Sequence, residues 1–266
     1  MEGRQMPQIQ KTITGSDIGD NIICFSGPPV GFKCYLVRGT KKAALIDSGM
    51  GIGSLKTEVL KYTDLPIVLI NTHCHPDHAG GNAEFDPALI NPADMDVFKR
   101  MATKEFRTQD IAHMPGDDWA SKLQPTGPDP IAASDGQIID LGGRQLEIIF
   151  TPGHTHGSLC VYEEATGVLF SGDNIQGRTT ALREWNSTTV LEFYNSLLKL
   201  RSRNIRRILT GHVPNDNPGD LLERKIKCTK KILNGVIGEA GKYRDITTYI
   251  VEYEGTSVEY LPDRIR

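Results

Sequence analysis

The chain lacks most of the features that would assign it to a specialised class. It has no Cys-x-x-Cys pair, and its five cysteines (Cys24, Cys34, Cys74, Cys160, Cys228) are odd in number and scattered, so no disulfide framework is expected. No apolar run approaches the roughly 20 residues needed to cross a bilayer. Residues 1–8 hold no apolar export core, so cytoplasmic residence and no membrane partner are expected. The formal net charge is only −3, which gives no bulk attraction to nucleic acid or anionic lipid. A Gly-x-Ser-x-Gly elbow is missing, so nothing signals a serine triad. No short-period repeat is present. What remains is a chain of 266 residues, long enough to bury a substantial core as one α/β domain spanning 1–266.

Against that background one segment stands out. His73-Cys74-His75-Pro76-Asp77-His78 uses three of the seven histidines in six positions, between the apolar run Ile67–Ile70 and Ala79-Gly80-Gly81. In an extended segment side chains two apart point the same way, so His73 and His75 can grip one cation while Cys74 points away. A turn after Pro76 re-aims Asp77 and His78 at a neighbouring position. Further along, His154, Asp173 and His212 each follow an apolar run closed by a small residue. Loops on a rigid scaffold are where chemistry is usually placed. His113 stands alone in a polar segment and is read as a surface or core residue, not a ligand.

In order and spacing these residues resemble the metallo-β-lactamase fold superfamily, whose motifs are an early Asp, His-x-His-x-Asp-His, then a lone His, Asp and His. The resemblance covers roughly 20–216 and implies an α/β fold, a four-layer αββα sandwich of two mixed sheets flanked by helices. It also implies that His73, His75 and His154 hold one metal, that Asp77, His78 and His212 hold a second, and that Asp173 bridges them. Asp47 would support the ligand loop from behind. Nitrogen and carboxylate donors without thiolate suit two Zn2+, with Fe or Mn as alternatives.

Periodicity organises the rest. Short apolar runs at 21–26, 32–37 and 43–46 read as a strand meander, and 136–139, 144–150, 158–162 and 168–170 as a second set. Residues 188–200 predict an amphipathic helix with Val190, Phe193, Tyr194, Leu197 and Leu198 on one face, opened by a Thr189/Glu192 capping box. A C-terminal helix plus hairpin is expected over 217–262, the helix starting at Asn217-Pro218. Residues 100–134 break the pattern and read as a lid or binding insertion. With 174–187 they offer Trp119 and Trp185 as apolar walls. Arg178 or Arg183 is the candidate partner of a substrate carboxylate or phosphate. His156 is a further, weaker substrate or metal candidate.

The expected activity is that of a dinuclear hydrolase of a small ester, lactone or thioester. A metal-bridging hydroxide would act as nucleophile, and Asp77 would orient it and take its proton. The bridging Asp173 and the expected cytoplasmic location argue against antibiotic hydrolysis. Glyoxalase II binds glutathione on a dedicated C-terminal helical domain, and only about fifty residues follow His212, which puts that substrate in doubt. Two alternatives stay open. A metal-dependent endoribonuclease or phosphodiesterase would draw on the basic cluster Arg201, Arg203, Arg206 and Arg207, although nucleic acid is disfavoured by overall charge. A mononuclear iron persulfide dioxygenase would need a single iron. The partner is a small-molecule substrate, and homo-oligomerisation is left open.

Overall fold

The computed structural model describes residues 11–29, 31–112, 114 and 118–266. His113 lies outside the described residues. Seven strands form the first sheet in chain order: β1 (Thr14–Asp17), β2 (Ile22–Gly27), β3 (Phe32–Arg38), β4 (Ala43–Ile46), β5 (Ile67–Ile70), β6 (Leu89–Ile90) and β7 (Ile131–Ala132). The first four strands run antiparallel, as the meander predicts, and β4 to β7 are parallel. The second sheet combines β8 (Ile138–Asp140), β9 (Gln145–Phe150), β10 (Leu159–Glu163), β11 (Val168–Gly172), β13 (Arg207–Thr210) and β14 (Asp216–Pro218), in the order 14-13-11-10-9-8.

Strand β4 shows how the layers arise. All four of its residues are apolar and buried, as a strand covered on both faces requires. Ala44 and Ile46 join Tyr35, Ile148, Val161 and Phe170 in the core between the two sheets. Ala43 and Leu45 face the other way, onto Leu55 and Val59 of helix α1 (Leu55–Val59). On the outside of the second sheet, Ile149, Leu169 and Ile208 pack against the later helices. The result is the four-layer αββα arrangement.

The helix opened by Thr189 is observed at Val190–Leu200, with both halves of its capping box formed. Leu198 departs from expectation at 36% exposed, while Leu200 takes a buried place. The C-terminal helix begins at Leu221 and not at Asn217, and runs to Leu233. Asn217 pairs with Ile208 in β14 instead, because the open edge of β13 offers those backbone groups a ladder. The expected hairpin is β16 (Ile246–Tyr253) and β17 (Thr256–Tyr260). It belongs to a third, four-stranded sheet with β12 (Thr179–Leu182) and β15 (Glu239–Tyr243), in the order 12-17-16-15. Residues 100–134 are more regular than anticipated, since Lys104–Ile111 form a helix capped by the Thr103 side chain. Among the described residues no helix is long and apolar enough to cross a membrane.

Candidate metal centre

Five strands end at one edge of the sandwich and release the chemistry-bearing loops there. Asp47 follows β4, His73 to His78 follow β5, and His154 follows β9. Asp173 follows β11, and His212 follows β13. The turn after Pro76 is one turn of helix, Pro76–Ala79, with His75 at its N-terminal boundary. That turn separates His73 and His75 from Asp77 and His78. Cys74 is fully buried among Ala79, Ile90 and Phe98, on the other side of the segment.

All seven candidate ligands converge. His73, His75 and His154 form one group and Asp77, His78 and His212 another, with the ligand atoms in each within 4.8 Å of one another. Asp173 reaches into both. Its Oδ1 lies 3.3 Å from His78 Nε2, and its Oδ2 lies 3.3 Å from His212 Nε2 and 3.8 Å from His154 Nε2. Asp77 Oδ2 is 3.2 Å from His212 Nε2.

Two of the ring orientations are set by the nitrogen on the far side. His78 Nδ1 lies 2.8 Å from Asp47 Oδ2, and His154 Nδ1 lies 2.7 Å from the Ala181 carbonyl. Donation to these acceptors turns each Nε2 toward the cage, where it can ligate a metal once any proton on it is displaced. Asp47 also accepts from Thr72 N and Thr72 Oγ1 at 2.7 and 2.8 Å, which ties the strand end to the ligand loop. The Nε2 atoms of His73 and His78 are buried and have no hydrogen-bond partner; the nearby Asp173 oxygen is not aligned with His78. A buried polar atom left unpaired costs about 1–3 kcal/mol. Two of them in the same cage, beside two carboxylates, fit bound cations.

Protonation divides the cage the same way. Burial, with the neighbouring His154 charge, pushes His75 down to about 3, and burial with His78 lowers His73. Burial opposes a charge on His212, but the Asp173 carboxylate overrides it and lifts that imidazole to about 10. His78 is raised for the same reason, burial being outweighed by Asp173, Asp77 and Asp47. His73 and His75 are therefore neutral imidazoles, whereas His78 and His212 sit in ion pairs from which a cation would displace protons.

Sequence reasoning missed the residues that hold the loops. Asp94 is fully buried and accepts from Cys74 N (3.1 Å), Thr155 Oγ1 (2.8 Å) and Gly157 N (2.8 Å), joining the loop of His73 and His75 to that of His154. Arg107, equally buried, donates to five carbonyls, among them Met50 (3.2 Å), Gly80 (2.9 Å) and Gln124 (2.8 Å). The Gly80 contact secures the far end of the turn bearing Asp77 and His78. Gln176 Nε2 donates to Asp173 Oδ1 at 2.5 Å. The Asn-Pro-x-Asp string before residue 95 could have flagged Asp94 as a helix start, but not its long-range contacts.

A cavity of about 440 Å³ opens onto the cage, and both Arg178 and Arg183 line it. Trp185 is 54% exposed and borders a neighbouring hollow that also reaches His75 and Asp77, with the Arg100 guanidinium 5.6 Å from its ring. The expectation for Trp119 is corrected. It does not line the cavity; its ring is buried with Met50, Ile52, Ile111 and Leu123, which cover its apolar surface. His156 is exposed and joins none of the ligand groups.

A sandwich with this edge and this His/Asp cage defines a class, and comparison with known proteins identifies it. The model of the metallo-beta-lactamase superfamily matches residues 29–212. The chain belongs to that superfamily. It is 29% identical over 206 residues to the acyl-coenzyme A thioesterase MBLAC2 of Bos taurus, covering 67% of this chain and 71% of that protein. It is 29% identical over 162 residues to the atrochrysone carboxyl ACP thioesterase of Aspergillus fumigatus, covering 59% of this chain and 32% of that protein. Among solved structures, a metallo-beta-lactamase family protein from Thermus thermophilus superposes with a TM-score of 0.62 at 18% identity, covering 85% of this chain and 86% of that one.

Proposed function

We propose that this chain is a metal-dependent hydrolase of a small-molecule thioester, working with two cations in the His/Asp cage. The observation that carries the reading is the convergence of seven nitrogen and carboxylate donors with two buried imidazole nitrogens left unpaired. The thioester is favoured over an ester or lactone because relatives at 29% identity are named thioesterases. The donor set, with Cys74 turned away, suits zinc, and iron or manganese are the alternatives. His73, His75 and His154 would hold one ion, Asp77, His78 and His212 the other, and Asp173 both. Two such ions lower the pKa of water toward about 7 and polarise an acyl oxygen.

The chain's own residues do the rest. Asp77 lines the cavity as well as the cage, so its carboxylate can orient the attacking water and take its proton. Gln176 holds Asp173 in place. The nuclease alternative is disfavoured, because three of the four arginines of its basic track, Arg201, Arg203 and Arg207, pair with Glu223, Glu147 and Asp216. A single-iron dioxygenase would leave the Asp77/His78/His212 group without a role.

The test is elemental analysis of purified protein, then thioesters, esters, lactones and phosphodiesters assayed on the same sample. Two metals per chain are expected, with thioester turnover that chelation removes and metal restores. Asp77→Ala should lower turnover by at least about 100-fold, the usual scale for a lost proton acceptor. A fully loaded enzyme inert toward thioesters, or Asp77→Ala with unchanged turnover, would overturn the proposal.

A further inference from the structure

The two arginines of the cavity have opposite surroundings. Arg183 is engaged: its Nη1 pairs with Glu259, its Nε lies 3.8 Å from Glu184, and its guanidinium stacks 4.3 Å from the Tyr243 ring centroid. Arg178 is exposed, and its guanidinium makes no hydrogen bond or ion pair with any described residue. This holds although Asp77, Asp173 and Glu184 line the same cavity.

The backbone of Arg178 is the reverse of its side chain. Its carbonyl accepts from Ser257 N at 3.0 Å, Thr256 Oγ1 at 2.9 Å and Lys225 Nζ at 2.9 Å. Lys225 is itself fully buried, and its other acceptor is the Ser257 carbonyl at 2.9 Å. A buried amine with two carbonyl acceptors is an expensive way to hold a loop residue unless its position matters. Residue 178 is therefore fixed at its root while its guanidinium stays free at the cavity mouth.

We propose that Arg178 is a specificity-determining residue that binds an anionic oxygen group of the substrate beside the scissile thioester. The inference rests on the thioesterase reading and narrows it to acidic thioesters. A guanidinium fork matches carboxylate and phosphate alike, often with two parallel hydrogen bonds. The charge then comes either from a phosphorylated thiol carrier or from an acidic acyl group. A purely solvated arginine would not distinguish charged from neutral substrates.

Three matched thioesters separate these cases: butyryl-coenzyme A, the butyryl thioester of N-acetylcysteamine, and its glutaryl counterpart. The first carries phosphate on the thiol side, the third a carboxylate on the acyl side, and the second neither. In Arg178→Met the kcat/KM of one charged substrate, relative to the neutral one, should fall about 10- to 100-fold, the scale of a charge-assisted hydrogen bond. The loss should appear mainly in KM, and Arg178→Lys should recover part of it. The substrate affected identifies the source of the charge. Equal losses on all three, or no change on any, would overturn the assignment of Arg178 and leave the thioesterase reading standing. A metal-loaded wild-type enzyme inactive on all three would overturn both.

Discussion

Replacing Asp94 with alanine removes one carboxylate from beneath two ligand loops, and its cost can be worked from three contacts. Thr155 Oγ1 keeps a second partner, Ser158 Oγ at 3.0 Å, so it is not stranded. Cys74 N and Gly157 N have no such substitute and become buried donors without an acceptor. At about 1–3 kcal/mol for each, the loss is about 2–6 kcal/mol. Against a domain stability of about 10 kcal/mol, the middle of the usual range of about 5–15 kcal/mol, most of the protein stays folded. Asp94 precedes the helix Met95–Met101 but makes no side-chain cap bond to it, so loss of helix capping does not confound the result.

The functional consequence is separate. Without Asp94 the loop of His73 and His75 loses its carboxylate link to the loop of His154, and removing such supporting contacts typically weakens metal binding about 10- to 100-fold. Asp94→Asn keeps the shape but turns one acceptor toward an N–H as a donor, so an intermediate effect is expected. Urea unfolding gives the stability, and metal per chain after dialysis against graded chelator gives the affinity. If Asp94→Ala unfolded within about 0.5 kcal/mol of wild type and kept both metals at the same chelator concentration, the reasoning about buried donors would be wrong.

Gly211→Ala would set a methyl group against Asp173 Oδ1 and His78 Cε1 inside the cage, so metal content should drop below two per chain while the far-UV circular dichroism spectrum persists. Two retained metals would show that the cage is looser than drawn. Lys225 tests a different feature, because burial pushes its amine down to about 7 from an ordinary 10.5. The unfolded chain then holds a proton that the folded chain gives up between pH 7 and 10.5, so wild-type stability rises through that window by up to about 5 kcal/mol, at about 1.4 kcal/mol per pH unit. Lys225→Met should lack that slope in urea unfolding at pH 7, 8 and 9, and parallel curves would refute a low-pKa amine.

The candidate ligands were legible in sequence because histidine and aspartate at the ends of apolar runs are unusual in type and in spacing. Most of the two main sheets was legible for a related reason, since strands such as Ala43–Ile46 must be apolar throughout to fill both faces, whereas the short or polar strands β1, β6, β7 and β14 were not. The third sheet was only half visible. The hairpin β16–β17 shows apolar residues on both arms, whereas Thr-Thr-Ala-Leu in β12 and Glu-Ala-Gly-Lys-Tyr in β15 carry little apolar pattern of their own. Those segments become strands because β17 and β16 offer them open edges. Asn217-Pro218 misled for the same reason, since a helix-start pattern gave way to an available ladder on β13.

Asp94, Arg107 and Lys225 were invisible for a deeper reason. A lone charged residue in a polar stretch reads as solvated, and its burial is decided by backbone groups elsewhere in the chain. Arg107 meets Met50, 57 positions away, and Lys225 meets Arg178, 47 positions away. All three bind main-chain atoms, Asp94 adding one hydroxyl, so no complementary side-chain type marks where most of their partners lie. The cage and its supports are therefore encoded differently: donors by residue type, supports by the meeting of loops. A ligand set grafted onto another sandwich without an Asp94 equivalent would bring the imidazoles but leave the two loops free to drift apart.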